Sequence, residues 1–317
     1  MKKLAFIFPG QGAQYIGMAQ DFINFNPEFQ KILNTFDERS GTDLFSIMKD
    51  GPEEILKETK YTQPAILFHS FVAMKTLLKE IDLKPTFVAG HSLGEFSALV
   101  ANGVLSIEDA LHLVHKRGEF MMKANDGSPF AMAAIIGQDS EAVKSFCSQA
   151  EDKGIVIAAN FNTPVQTVIS GSKAGVERAC EIAKENGAKR VVPLIVGGPF
   201  HSPLIKKAGI WLREEMDKID FNDTDIPVIS NVDAKPTNNP MQIKENLQAQ
   251  VTSSVLWVDS VNYMINQGID IFIEFGPKKV LAGMIKKIDR KKKVLSIDTL
   301  EDIGSNLDII KELLDLK

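Results

Sequence analysis

Short apolar runs alternate with helical stretches along most of the chain. Runs of strand character fall at 3–8, 86–90, 226–230, 270–275 and 293–297. Helical stretches lie between them, at 14–24, 27–38, 63–80, 106–123, 203–217, 257–267 and 278–288. Strands that alternate with helices in this way are typical of a layered α/β domain with a largely parallel sheet.

The segment 127–197 has its own order of elements. Strands are predicted at 131–136, 155–160, 166–170 and 190–196, with helices at 140–151 and 173–186. This β-α-β-β-α-β order is that of a ferredoxin-like unit, and turn-rich residues flank it on both sides. We therefore expect a discontinuous large domain, residues 1–126 and 198–317, with a small ferredoxin-like domain inserted at 127–197.

Two residues predict where helices begin. Ser106, followed by Glu108 and Asp109, gives a capping-box-like start to the helix at 106–123. Pro64 is expected in the first turn of its helix, a position that tolerates the missing N–H group.

Composition and charge exclude several classes of protein. At 317 residues and 44% hydrophobic, the chain can bury a large core. A formal charge of −5 gives no polycationic footprint for nucleic acid. The first apolar run ends at Pro9 and is too short for a secretion signal. No apolar span is long enough to cross a membrane. We expect a cytoplasmic monomer with no nucleic-acid or membrane partner.

The two cysteines point the same way. Cys147 and Cys180 both fall in predicted helices and have no metal-ligand spacing. We expect two buried free thiols in a reducing compartment, and no metal site.

A candidate nucleophile stands where a strand meets a helix. Phe87-Val88-Ala89-Gly90 is followed by His91-Ser92-Leu93-Gly94-Glu95, a Gly-x-Ser-x-Gly motif in the strand–turn–helix context of a nucleophile elbow. Glycines at both ends let strand and helix cross closely, so Ser92 would stand exposed beside the N–H group of Leu93. The alternative is a serine in an ordinary glycine-flanked turn.

A serine nucleophile needs a base, and the chain offers five histidines: His69, His91, His112, His115 and His201. Three lie in helical stretches, where packing or exposure is the usual role, and His91 points away from the Ser92 side of the turn. His201 lies in a loop rich in Gly and Pro, so we expect it to be the general base. Acids between Ser92 and His201 lie mainly in helices or in the first hinge, where a hydrolase-type triad would not place its acid.

The glycine-rich turn after the first strand invites a nucleotide-binding interpretation. Gly10-Gln11-Gly12 lacks the third glycine of a dinucleotide fingerprint, because Tyr15 stands there. The spacing from Gly12 to Gly17 begins like a P-loop but lacks the Lys-Ser/Thr pair. What remains is a turn able to aim backbone N–H groups at an anion.

Motifs along nearly the whole chain carry a resemblance to a known family. They are Phe8-Pro9-Gly10-Gln11-Gly12, Gln63-Pro64, Gly90–Glu95, His115-Lys116-Arg117-Gly118, Asn160–Pro164, Gly197–Leu204, Gln250–Trp257 and Glu274–Pro277. In this order they resemble the malonyl-CoA:acyl-carrier-protein transacylases of bacterial type II fatty acid synthesis. Ser254 and Lys278 depart from the family, which frequently has proline and glycine there.

The resemblance implies an α/β-hydrolase-like large domain and an active site in the cleft beside the small one. It assigns oxyanion-hole N–H groups to Gln11 and Leu93, and makes the backbone carbonyl of Gln250 the partner that orients His201. A carbonyl in place of the triad acid gives a Ser-His dyad.

Arg117 is expected to distinguish the substrate. It shares an apolar helix face with Leu113 and Met121, and an arginine there needs a partner. An internal salt bridge is one interpretation; the family instead implies a fork that binds the free carboxylate of a malonyl group.

Other pocket residues are weaker candidates. Phe200 resembles the malonyl-selective form of its loop and would disfavour an α-methyl branch. Further substrate-binding candidates are Gln63, Met121, Asn160 and Asn162.

The implied activity is transfer of a malonyl group from malonyl-CoA to the phosphopantetheine thiol of acyl carrier protein, through a malonyl-serine ester. CoA thioester is then a substrate, and no cofactor is expected. Three alternatives stay open: an acyltransferase serving a polyketide synthase, a serine esterase or thioesterase, and a non-catalytic scaffold.

Docking of an acidic carrier protein requires a local basic surface on this net-negative chain. Lys286 and Lys287, near the run Arg290–Lys293, are one candidate, and Lys189 with Arg190 is the other. The alternative is that these are solvated surface charges.

Overall fold

A computed structural model describes residues 2–315, and its helices and strands fall into three stretches. The first holds β1 (Lys3–Phe8), α1 (Gln20–Phe25), α2 (Glu28–Ser40), α3 (Leu44–Asp50), α4 (Glu53–Leu56), α5 (Thr59–Glu80), β2 (Phe87–Gly90), α6 (Gly94–Ala101) and α7 (Ile107–Lys123). The second holds β3 (Phe130–Ile136), α8 (Ser140–Gln149), β4 (Val156–Thr163), β5 (Gln166–Ser172), α9 (Lys173–Glu185) and β6 (Arg190–Leu194). The third holds α10 (Lys206–Met216), β7 (Val228–Ile229), β8 (Pro236–Thr237), α11 (Pro240–Gln250), α12 (Trp257–Asn266), β9 (Ile269–Phe275), α13 (Val280–Ile288), β10 (Lys293–Ile297) and α14 (Leu300–Leu314).

The first and third stretches build one six-stranded sheet in the order β10-β9-β1-β2-β7-β8. All its pairs are parallel except β7 with β8. Because parallel strands end at one edge, the loops after β1, β2 and β9 meet there, and ligands of open α/β sheets bind at this edge.

Helices cover both faces of this sheet, as β1 shows. Phe6 and Phe8 pack into the apolar cluster on one face, and Ala5 and Ile7 into the cluster on the other. A strand buried on both faces has no polar alternation, which explains why β1 reads as a continuous apolar run.

The second stretch builds a separate antiparallel sheet in the order β4-β5-β3-β6. Its own core includes Ile135 and Ile169 from the strands with Val143 and Ile182 from α8 and α9. This is the ferredoxin-like arrangement. The predicted fold class, a mostly parallel α/β sheet with a small ferredoxin-like unit, is confirmed.

Backbone contacts join β4 of the second sheet to the segment between α11 and α12. The N–H group of Phe161 donates to the carbonyl of Val255 (3.0 Å), and the N–H group of Val255 donates to the carbonyl of Ala159 (2.8 Å). The segment after α11 therefore lies alongside β4.

Some predicted elements were wrong in detail. The helix expected at 14–24 begins only at Gln20, because Gly17 and Ala19 adopt positive φ and interrupt it. The stretch expected as one helix at 203–217 is a short 3₁₀ turn followed by α10. Helices α3, α4, α11 and α14 were not predicted.

Pro64 lies inside α5 rather than in its first turn, because the helix already begins at Thr59. A proline cannot donate to the carbonyl four residues earlier. The carbonyl of Lys60 instead lies 3.0 Å from the Nδ1 atom of His115, which donates to it. A buried histidine on α7 thus makes the hydrogen bond that the proline cannot.

The cysteines are both free, but only Cys147 is fully buried and Cys180 is half-buried.

No helix within residues 2–315 is long and apolar enough to cross a membrane. The same residues contain no cluster of three or more His, Cys, Asp or Glu side chains that could hold a metal ion.

Candidate active site

The turn between β2 and α6 has the geometry of a nucleophile elbow. Ser92 has a φ of 52°, in the left-handed region that non-glycine residues seldom adopt. A Cβ atom at Gly90 would overlap the backbone of Gly94, and one at Gly94 would overlap the carbonyl oxygen of Phe8. Both glycines are therefore required for strand and helix to cross this closely.

Ser92 and His201 form a hydrogen-bonded pair although they are far apart in sequence. The distance from Ser92 Oγ to His201 Nε2 is 2.8 Å, and His201 Nδ1 lies 2.8 Å from the backbone carbonyl of Gln250. Because a carbonyl only accepts, Nδ1 carries the proton and Nε2 has its lone pair directed at the serine hydroxyl. Burial, together with the charge of Arg117, lowers the pKa of His201 to about 3. The imidazole is therefore neutral near pH 7 and able to accept a proton.

Arg117 is 1% exposed and lies beside this pair. Nη1 donates to Gln63 Oε1 (2.8 Å), while Nη2 donates to Gln250 Oε1 (2.9 Å) and to Ser92 Oγ (3.0 Å). Burial lowers the pKa of Arg117 to about 10, which leaves it charged near neutral pH. Its Nε atom is buried and has no hydrogen-bond partner among residues 2–315.

The partners of Arg117 are neutral rather than anionic. Within the described chain its guanidinium donates only to amide and hydroxyl oxygens, so the internal salt bridge considered from sequence is not formed. A buried guanidinium without a directly bonded carboxylate can receive one from a ligand.

The loop after β1 packs directly against the nucleophile turn. A Cβ atom at Gly10 would lie 2.5 Å from the carbonyl oxygen of His91. Gln11 is exposed in this loop, and Leu93 is the N-cap residue immediately before α6. Within residues 2–315, neither backbone N–H group donates a hydrogen bond. The two groups are thus free donors on adjoining loops at one edge of the sheet.

The remaining pocket candidates fall into two sets. Gln63 joins the site directly, since its Nε2 group also contacts Met121 Sδ at 3.8 Å. Asn162, on β4, accepts a hydrogen bond from His91 Nε2 (2.8 Å) and so ties the second sheet to the elbow. Asn160 and Phe200 are both buried, and Phe200 directly precedes His201 in sequence. Neither side chain hydrogen-bonds to Ser92, His201 or Arg117.

The residue pairs predicted for docking, Lys286 with Lys287 and Lys189 with Arg190, are exposed. Lys286 and Lys287 are exposed in the last turn of α13, a helix that packs against β4. Lys189 and Arg190 are exposed at the start of β6, three strands from β4, or about 14 Å at the usual strand spacing. In the Arg290–Lys293 run, Lys292 pairs with Asp270 (3.1 Å), at the edge of the sheet opposite the elbow.

Two buried residues of the site were not predicted from sequence. Asn231 brackets the elbow: its Oδ1 accepts from Ser92 N–H (2.7 Å) and its Nδ2 donates to the carbonyl of Gly90 (2.7 Å). Glu95 is 1% exposed, and burial raises its pKa to about 7. The only local signal for Glu95 was its place next to Gly94, and Asn231 had none.

The two departures from the family pattern are accommodated locally. Ser254 Oγ donates to the carbonyl of Ala158 (2.7 Å), on β4. Lys278 adopts a φ of 64°, a conformation that glycine adopts without strain, which accounts for the glycine found there in the family.

Comparisons with known proteins agree on one family. The model of the acyl transferase domain matches residues 5–304. A malonyl CoA-acyl carrier protein transacylase of Bacillus subtilis is 46% identical over 313 residues, covering 98% of each chain.

Solved structures are similar over the same length. The malonyl-CoA:acyl carrier protein transacylase of Xanthomonas oryzae has a TM-score of 0.93 at 38% identity and covers 98% of each chain. A structure described as a "type II PKS acyl-carrier protein in complex with its malonyl-transacylase" has a TM-score of 0.93 at 35% identity, with 97% of this chain and 100% of that one covered. The chain belongs to the acyl transferase family, within its group of malonyl-CoA:acyl-carrier-protein transacylases.

Proposed function

We propose that this enzyme transfers a malonyl group from malonyl-CoA to the phosphopantetheine thiol of acyl carrier protein, through an ester on Ser92. The observation that carries the proposal is the 3.0 Å contact between Arg117 Nη2 and Ser92 Oγ. One methylene group separates the carboxylate of a malonyl group from its thioester carbonyl. A cation that holds the carboxylate must therefore lie close to the nucleophile, as Arg117 does.

Acylation of Ser92 is the first half of the proposed reaction. His201 Nε2 accepts the hydroxyl proton as Ser92 Oγ bonds to the thioester carbon. The N–H groups of Gln11 and Leu93 stabilise the oxyanion. The C–S bond then breaks, and His201 returns its proton to the leaving CoA thiolate, which leaves a malonyl-serine ester.

Discharge follows the same path in reverse. His201 accepts the proton of the phosphopantetheine thiol as its sulfur attacks the ester carbon. The C–O bond breaks, Ser92 recovers the proton, and malonyl carrier protein leaves. Neither half requires a metal or a redox cofactor, so we propose that the enzyme uses none.

Substrate selection is assigned to the side chains around Arg117. We propose that its guanidinium exchanges neutral partners for the malonyl carboxylate, with Gln63 and Met121 beside it, and with Asn160, Asn162 and Phe200 shaping the rest of the pocket. A Phe200 ring next to the base would crowd an α-methyl branch.

The cleft between two domains is the proposed place of reaction. We divide the chain into residues 1–126 with 198–317, and 127–197, so that Ser92, His201 and Arg117 come from the large domain. Two free thiols and a CoA substrate support a cytoplasmic location. We propose that the enzyme acts as a monomer.

Supply of malonyl units for fatty acid elongation is the function that we favour. The similarity to a transacylase in complex with a polyketide-synthase carrier protein keeps polyketide synthesis as a second candidate. Comparing transfer rates to carrier proteins of the two pathways would distinguish them, because the preferred carrier should react faster at equal concentration.

Intact-mass measurement tests the proposal. Mixing the enzyme with malonyl-CoA should give one stable malonyl adduct for each chain, and adding holo-carrier protein should remove it and yield malonyl carrier protein. Rapid release of free malonate without carrier would indicate an esterase or thioesterase. A chain that forms no adduct would be a non-catalytic scaffold.

A further inference from the structure

One buried carboxylate in the site takes no part in the steps above. Glu95 lies in the first turn of α6 with its side chain removed from water. Acidic side chains are almost never fully buried unless they have partners. Its Oε2 atom accepts hydrogen bonds from Gln250 Nε2 (2.7 Å) and from the backbone N–H of Asn231 (3.1 Å).

The first partner, Gln250, lies between opposite charges. Its Nε2 group faces Glu95, and also donates to the backbone carbonyl of Ser92 (3.0 Å), while its Oε1 accepts from Arg117. A carboxylate only accepts hydrogen bonds and a guanidinium only donates them. A flipped amide would direct its NH₂ group at the cation and its oxygen at the anion, so the two charges fix one orientation.

The same residue holds the base. The backbone carbonyl of Gln250 accepts the hydrogen bond from His201 Nδ1. Fixing the Gln250 side chain at both ends therefore also restrains the carbonyl that sets the tautomer and orientation of the imidazole.

The second partner leads to the nucleophile. Glu95 holds the backbone of Asn231, whose side chain bonds to both Gly90 and Ser92. One carboxylate oxygen thus supports the serine turn through Asn231 and the histidine through Gln250.

We infer that Glu95 is a positioning residue for acylation, which aligns Ser92 with His201 through Asn231 and Gln250. The inference rests on the proposed function. It predicts a pattern different from that of Arg117, because Glu95 acts on the alignment of the pair and not on the acyl group. Malonyl and acetyl transfer should therefore suffer equally when Glu95 is changed.

The test compares Glu95→Gln with the wild-type enzyme in single-turnover acylation by malonyl-CoA and by acetyl-CoA. We expect the acylation rate to fall by about 10–100-fold for both, as for a small misalignment of reacting groups. The KM for malonyl-CoA should not rise, because Arg117 loses a nearby anion. The final yield should stay at one acyl group for each chain, because the protein is folded and merely slow.

Glu274→Gln is the matched control. Glu274 is also a buried carboxylate, but its oxygens accept from the N–H groups of Leu281 and Ala282 and from the hydroxyl of Ser296, and not from the residues that hold Ser92 and His201. We expect this variant to lose thermal stability and to keep the wild-type acylation rate.

A second variant keeps the test valid if Glu95→Gln does not fold. Glu95→Asp retains the charge but withdraws it by one methylene group, which breaks the 2.7 Å contact with Gln250. We expect a full yield at a rate about 10-fold lower. A wild-type rate in either folded variant, or a loss confined to the final yield, would overturn the inference. A wild-type enzyme that forms no adduct at all would contradict the proposed function itself.

Discussion

Two strand–turn–helix units of the parallel sheet share a plan and differ in what their side chains contact. In β2–α6 the turn contains Ser92 at a φ of 52°, and in β9–α13 it contains Lys278 at a φ of 64°. Each unit also holds a buried carboxylate, Glu95 in the first and Glu274 in the second. Both turns lie at the edge where the parallel strands end.

The carboxylates differ in where their partners come from. Glu274 caps the helix of its own unit through Leu281 and Ala282, and its other partner, Ser296, lies on the next strand. Glu95 binds Asn231 and Gln250, which are 136 and 155 positions away. The shared plan thus gives stability in one unit and a reactive serine in the other, and the difference lies in the distant segments that contact the turn.

The largest effects should follow from removing the reacting groups of β2–α6. Ser92→Ala should form no malonyl adduct. His201→Ala should acylate about 10²–10⁴-fold more slowly, the usual loss for a general base. Single-turnover kinetics measure both.

His112→Ala is the control for the histidine variant, because His112 is half-buried on α7 and its one side-chain hydrogen-bond partner among residues 2–315 is Glu215. It should keep the wild-type rate. A His201 variant that acylates normally would mean that the base lies elsewhere.

Removing Arg117 should reduce malonyl transfer much more than acetyl transfer. Arg117→Ala should cost malonyl transfer about 2–5 kcal/mol, as when one partner of a buried charge pair is lost. Acetyl transfer should change little, because it needs no cation. Arg117→Lys keeps the charge but lacks the two-pronged guanidinium, so its rate of malonyl transfer should lie between those of the wild-type enzyme and Arg117→Ala. Equal losses for malonyl and acetyl would make Arg117 structural.

The pH dependence of the acylation rate should follow the protonation of the Glu95 carboxyl. Its raised pKa, about 7, means that the carboxyl becomes protonated as the pH falls through that value, whereas the lowered pKa of His201, about 3, keeps the base neutral. The charged groups that act on Glu95 are Arg117, which lowers its pKa, and Asp233, which raises it. We expect the wild-type acylation rate to fall between about pH 8 and about pH 5, because protonation removes the charge from the carboxylate that accepts hydrogen bonds from Gln250 and Asn231.

Glu95→Gln should lack this decline and give a flat, low profile over the same range. A decline near pH 6.5 that persists in the variant would show that His201 titrates like an ordinary histidine. That result would contradict the assignment of a neutral, buried base.

Basic residues of the second unit should affect docking and not chemistry. Lys286→Glu with Lys287→Glu should raise the KM for carrier protein about 3–10-fold at low salt and reduce its salt dependence, because rim charges act mainly on association. Acylation by malonyl-CoA should not change. Arg290→Glu with Lys291→Glu, an equal charge change in the run that follows α13, is the comparison and should have the smaller effect. Unchanged carrier kinetics in the first variant would remove Lys286 and Lys287 from the docking surface.

The smallest effect concerns Lys278, the counterpart of Ser92. Lys278→Gly should stabilise the fold by about 0.5–1 kcal/mol, because glycine relieves the left-handed conformation. The midpoint of thermal unfolding should rise by about 1–3 °C. Lys279→Gly, next to it at a φ of −127°, should give no increase. A destabilised Lys278→Gly would mean that the lysine contact with Gln14 outweighs the strain.

The sequence predicts elements well where the chain's own pattern decides them. The five parallel strands and the order of the second sheet follow from short apolar runs between turns. The prediction of one helix at 14–24 was wrong because Gly17 and Ala19 adopt positive φ, and the N–H group of Gly17 donates to the carbonyl of Met48 (2.8 Å), a residue of α3 that no local pattern connects to it. Helix α14 did carry a local signal, a capping box formed by Thr299 and Asp302.

In the active site, the residues that lie in sequence motifs could be predicted from the sequence, and the residues that support them could not. Ser92 stands in a local pattern, and His201 could be selected by its loop. Glu95 looks like any acidic residue in a first helical turn, where exposure is usual. Its burial depends on Asn231 and Gln250, which no local pattern connects to it.

Peptide mapping of the acyl-enzyme identifies the residue that carries the malonyl group. The enzyme would be mixed with malonyl-CoA, stopped in acid, digested and analysed by mass before and after addition of holo-carrier protein. We expect one malonyl group, on the peptide that contains Ser92, and we expect it to disappear as malonyl carrier protein forms. A malonyl group on another residue, or one on Ser92 that carrier protein does not remove, would contradict it.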